Sequence, residues 1–167
     1  PADPSRLAQQ VDGFIDQAAL PEIEGEILAL IVPHAGHRYS GPVAGYAFAA
    51  VRGMSPELVM IAAPMHYPYS EPLLTTAHAA YATPLGEIPV DSAAVQALNQ
   101  ELKKRLGFRL SPVAYDPEHA LEIELPFLQR SLTGSFSLLP VMVREQSAAV
   151  ARGLGESLAR IVQAHKR

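Results

Sequence analysis

Three short, continuously apolar runs alternate with stretches of helical spacing, a pattern that points to an α/β architecture. The runs are EILALIVP at Glu26–Pro33, ELVMIAA at Glu57–Ala63 and FSLLPVMV at Phe136–Val143. Each is too short for a buried helix and suits a strand buried on both faces. Between and around them the spacing predicts helices. The first runs from about Pro4 to Ala19, with Asp3 as N-cap and Leu7, Val11, Phe14 and Ile15 at helical intervals. A small-residue helix is expected over Pro42–Arg52, and a third from the Asp91 cap to about Lys104. A fourth covers Glu118–Leu132, with Pro126 predicted to kink it. The last spans Gln146–His165. Leu73–Ala77 and Gly86–Val90 read as short strands, a hairpin or an edge pair. Strand, helix, strand over Glu26–Ala63 calls for a right-handed crossover between parallel strands. The expected fold is α/β, a mainly parallel sheet sandwiched by helices, as a single domain over residues 1–167.

Composition narrows the function. A formal net charge of −4 without a basic patch argues against nucleic acid and against an anionic membrane surface. No apolar run approaches the ~20 residues of a membrane span, and no signal peptide is visible, so a cytoplasmic location is expected. There is no cysteine, which excludes disulfides, thiolate ligands and a Cys nucleophile within this sequence. The sequence opens at Pro1 without an initiator Met, as a processed, cut or incomplete chain would.

Three constellations carry chemistry. PHAGHRYSG at 33–41 places His34 between the end of an expected strand and a helix start, the crevice where open α/β sheets bind ligands. Gly36 is read as permitting an unusual backbone angle and Gly41 a tight turn into Pro42. APMHYP at 63–68 places His66 after a second strand and a breaking proline. Were the two strands neighbours, ~4.8 Å apart, both imidazoles could reach one ion at ~2.1 Å. In DPEHALEIELPF at 116–127, His119 and Glu122 are three apart and share a helical face with Glu118. A histidine beside a carboxylate suits proton transfer or the orienting of a ligand. Blander roles stand beside each: a helix cap or a partner for loop carbonyls at His34 and His66, an exposed pair at His119 and Glu122. His37, His78 and His165 join no constellation, and Tyr39, Tyr67 and Tyr69 read as packing or loop residues.

Taken together, PHAGHRYSG, APMH at 63–66, TPLG at 83–86 and EHALEIELPF at 118–127 resemble the Memo family in order and spacing, and PADPSRL at 1–7 fits the same pattern. That family is similar in fold to class III extradiol dioxygenases, which open catechol rings with non-haem Fe(II). The resemblance implies His34 and His66 as metal ligands, His119 as an acid/base group lining the site and Glu122 supporting it. Fe(II) is the implied metal, with copper or zinc as alternatives. The departures are Met65 for the usual Ser, His37 for Tyr and Ala120 for Ser. The family pattern also continues past this sequence into a Ser-Asp-Phe-x-His segment and a third ligand. Two histidines alone do not complete a facial triad. The expectation is a metal-binding, dioxygenase-type redox protein acting on an unknown small molecule, lacking its third ligand here. It would act with a missing C-terminal half or as a homo-oligomer. The alternatives are a non-catalytic interaction domain retaining the fold, and a metal-dependent hydrolase.

Overall fold

The computed structural model describes residues 2–165. They form two compact units. One comprises residues 2–57, 81–88 and 119–136, the other residues 58–80, 89–118 and 137–165.

The first unit is built on helix α1 (Pro4–Asp16), helix α2 (His37–Ala50) and the short helix α4 (Leu125–Ser131). The Asp3 side chain accepts the Arg6 N–H at 2.8 Å, starting α1 as its cap position predicts. Leu7, Val11 and Ile15, four residues apart, bury the inward face. α1 lies against α2 and α4, and the Phe127 ring stacks between Phe14 and Phe48 at centroid distances of 6.2 and 4.9 Å. Asp12 and Arg130 close the α1–α4 side with two hydrogen bonds of 2.7 Å.

α2 begins five residues before the expected Pro42, at His37, with Gly36 as N-cap. The Ser40 hydroxyl donates to the Ala35 carbonyl at 2.7 Å and stabilises that first turn. Pro42 is carried inside the helix. Two readings change accordingly. Gly36 has φ −53°, a conformation open to any residue, and Gly41 makes no turn but packs within α2 against the Phe14 ring.

The second unit holds a four-stranded sheet in the order β1 (Leu58–Pro64), β6 (Ser137–Val143), β2 (Leu73–Thr76), β5 (Ser111–Val113). β1 and β6 run parallel with Leu58 opposite Ser137 and Pro64 opposite Val143. β2 and β5 are parallel, while β6 and β2 are antiparallel. Helices α3 (Ser92–Leu106) and α5 (Ala148–His165) close a core of Leu98, Leu102, Leu154 and Ile161 over Leu73, Leu139 and Val141. Alternate residues Leu74 and Met142 turn the other way, to Met65 and Val113. Asp91 caps α3 by accepting the Ala94 N–H, and Gly107 ends it at φ 82°. The fold class is the expected one, α/β with a mainly parallel sheet and flanking helices.

Three expectations fail locally. Glu26–Pro33 forms no strand; Leu28 is 75% and Ile31 100% exposed. An apolar run becomes a strand only where a ladder partner meets it, and β1 takes β6 as its hydrogen-bonded neighbour. Leu73–Thr76 and Gly86–Pro89 do not pair either: the first joins the main sheet, and the second, β4, makes a hairpin with β3 (Ala80–Thr83). Glu118–Leu132 is a turn followed by a 3₁₀ segment, Glu122–Glu124, and then α4. Pro126 sits in the first turn of α4, where its missing N–H costs nothing, so it starts the helix instead of kinking it.

The exposure of the 26–33 run has a measurable consequence. The double substitution Leu28→Asp with Ile31→Asp is expected to change urea-unfolding stability by less than about 1 kcal/mol, about 0.5 per site. Two core aliphatics would each cost roughly 2–5 kcal/mol. A loss of that size would place the run in a core.

Candidate functional site

His66 stands two residues beyond β1. The Met65 N–H still bonds the Val143 carbonyl at 2.9 Å, prolonging the β1–β6 ladder, and the Met65 side chain is buried with Leu74 and Met142. The chain is therefore held up to the residue before His66. Glu118 then meets it from the segment after β5. One carboxylate oxygen, Oε2, accepts the His66 backbone N–H at 2.7 Å and lies 2.8 Å from the ring Nδ1. The Glu118 side chain is 1% exposed, whereas the His66 side chain is 53% exposed. Asp116 accepts the Glu118 N–H at 2.9 Å through Oδ1. Burial raises the Asp116 carboxyl above its ordinary range, against the Glu118 N–H bond that lowers it.

In the first unit, His119 and Glu122 line one open cleft of about 490 Å³ with His37, Arg38, Gln10 and Pro126. The i, i+3 spacing thus places both side chains on one concave surface, although the backbone there is a turn and a 3₁₀ segment. The Ile123 N–H donates to the His119 carbonyl at 3.0 Å, closing the turn between them. A second open cleft in the first unit, of about 470 Å³, lies among Leu20, Ile23, Glu26, Ile27 and Met54.

His37 carries more than its sequence context suggests. Its Nε2–H donates to the Ile123 carbonyl at 2.8 Å, and its ring meets Phe127 edge-on at 5.2 Å. The first residue of α2 is thereby tied to the segment bearing His119 and Glu122. The only prior signal was its place beside the expected His34 site. His34 itself is half-buried, two residues before the α2 N-cap.

Of the four expected site residues, His119 and Glu122 share the cleft, while His66 is joined to Glu118 in the second unit. His34 belongs to the first unit. The premise for bringing His34 and His66 together, equivalent ends of neighbouring strands, fails, because no strand precedes His34 among the described residues. Glu118, expected only to share a helical face with Glu122, is the buried partner of His66. Glu124, to which the spacing assigns no role, is also buried; its carboxyl is pushed up to about 7 by burial.

The donor chemistry fits a metal in part. An imidazole whose Nδ1–H is held by a carboxylate is the common form of a ligating histidine. Among the described residues no group of three or more His, Cys, Asp or Glu side chains could hold an ion.

Comparison with known proteins agrees with the motifs. A MEMO1 family protein of Nitrosopumilus maritimus is 34% identical over 137 residues, covering 82% of this chain and 49% of the relative. One from Pyrobaculum arsenaticum is 30% identical over 174 aligned positions, covering 100% of this chain and 60% of the relative. One from Thermotoga maritima is 35% identical over 136 residues, covering 81% and 48%. The chain thus spans about half to three-fifths of the length of these relatives. The family model described as Memo-like protein matches residues 1–167, and the chain belongs to the Memo family.

Proposed function

We propose that this chain supplies two imidazole ligands, His34 and His66, and an acid/base pair, His119 and Glu122, to a metal-dependent redox site of dioxygenase type. The observation that carries the reading is the His66–Glu118 pair: a half-exposed ring held by a buried carboxylate. Fe(II) is the favoured ion, with copper or zinc as alternatives, since imidazole suits all three. When bound, Fe(II) would supply electron-transfer chemistry with dioxygen. The chain's own residues do the rest. His119 lies exposed on the cleft, placed to give or take a proton at its ring nitrogens, with Glu122 lining the same surface. Arg38 on the same cleft offers a fixed positive charge to an anionic part of a small-molecule substrate. His37 holds the cleft wall by its bond to Ile123. A third ligand would come from outside the described residues.

The test is metal binding by this chain. Titrated with Fe(II) under anaerobic conditions, it is expected to take up one ion, and His34→Ala and His66→Ala are each expected to weaken uptake at least tenfold. Unchanged uptake in the doubly substituted protein would remove both ligands and the mechanism with them.

The exposed apolar run with Leu28 and Ile31 favours a second reading, an interaction domain that retains the fold without catalysis. It requires instead that the doubly substituted protein keep its binding partner.

A further inference from the structure

We infer that Glu118 is a positioning residue that fixes His66 as its Nδ1–H tautomer, so that Nε2 carries the lone pair. The inference deepens the proposed metal reading and rests on it only for the use made of that lone pair. An ionised carboxylate can only accept hydrogen bonds. With Oε2 at 2.8 Å from Nδ1, the ring proton of a neutral imidazole therefore belongs on Nδ1. The same oxygen takes the His66 backbone N–H at 2.7 Å, so one atom fixes both the main chain and the ring.

The anchor is itself buried and hydrogen-bonded. Its side chain is 1% exposed, and its N–H is tied to Asp116 on the far side of Pro117. A carboxylate buried this deeply needs donors, and His66 supplies two. Holding the loop alone would need only the backbone bond. The ring bond is the addition that sets which nitrogen can donate electrons. This assignment was not accessible from spacing, because 52 residues separate the partners.

Two-bond ¹H–¹⁵N correlation spectra of the ¹⁵N-labelled chain at pH 8 report the tautomer of each histidine, and a parallel titration with Zn(II) alone reports the donor. His66 in the unaltered protein is expected as Nδ1–H. Glu118→Ala is expected to move it towards the Nε2–H form and to weaken Zn(II) binding 10–100-fold. Glu118→Gln keeps a carbonyl oxygen in place and is expected to restore the Nδ1–H form and most of the affinity. An Nε2–H or doubly protonated ring in the unaltered protein would overturn the inference, and so would an unchanged tautomer in Glu118→Ala. If the alanine variant does not fold, the spectra of the unaltered and glutamine proteins decide the matter. A ring in the Nδ1–H form with Zn(II) affinity indifferent to His66→Ala would uphold Glu118 and overturn the metal reading instead.

Discussion

Replacing Gly45 by alanine is expected to destabilise the first unit by about 2–3 kcal/mol, the upper part of the range for overpacking. Helix propensity alone points the other way: in a helix interior alanine is better than glycine by about 1 kcal/mol. The deciding fact is what a Cβ at Gly45 would meet. It would fall inside the van der Waals envelope of the Phe14 carbonyl oxygen and only 2.6 Å from the carbonyl carbon. Those are main-chain atoms of α1, which bears the buried face of Leu7, Val11 and Ile15. They cannot swing aside as a side-chain tip would, so α1 and α2 must separate along a packed face. Gly41, one turn earlier, meets the Phe14 ring instead. A ring can rotate, so Gly41→Ala should cost less than Gly45→Ala. Urea unfolding of the two variants beside the unaltered chain measures both effects. A Gly45→Ala protein as stable as the original would mean that the α1–α2 contact is looser than described.

That contact also marks where sequence reading succeeds and where it stops. α1 and α3 are legible because their signals are local: Asp3 and Asp91 stand at cap positions, and each cap bond forms within three residues. β1 and β6 are legible because their apolar runs find each other as parallel partners. Glu26–Pro33 has the same composition and fails as a strand, because composition specifies a preference for burial but not a ladder partner. β5 escapes notice since three residues, one of them Pro112, carry no periodicity. Gly41 and Gly45 look like flexible positions in sequence. Their use as a close-approach surface depends on Phe14, some thirty residues away.

The candidate site divides along the same line. His119 and Glu122 are three residues apart, and even a distorted turn brings such neighbours onto one cleft. The bond from His37 to Ile123 spans 86 residues and that from Glu118 to His66 spans 52. No spacing rule reaches that far. Motif order can suggest that these residues matter, but their pairing is a tertiary fact.

Glu124 was within reach of a local rule, since it lies three residues after Leu121 and four before Leu128, on the buried stripe itself. It is only 5% exposed, and neither of its carboxylate oxygens bonds any of the described protein groups. Burial alone pushes its carboxyl from 4.5 up to about 7. The folded state therefore holds this proton more tightly than the unfolded chain does, and the sign of the linkage follows. Below pH 4.5 the group is protonated in both states and its cost is absent. As pH rises from 4.5 to about 7 the unfolded chain loses the proton first, and stability falls. Above that range the loss is complete and levels off, on the order of 3 kcal/mol at ~1.4 kcal/mol per pH unit. Glu124→Gln keeps the shape and removes the ionisation. It is expected to match the unaltered chain near pH 4.5 and to exceed its stability by roughly 3 kcal/mol at pH 8. The readout is the difference between the two urea-unfolding free energies across that pH range, which cancels every titration the proteins share. A difference that stays flat with pH would show that the Glu124 carboxylate is solvated or paired, and that the stripe it occupies is open.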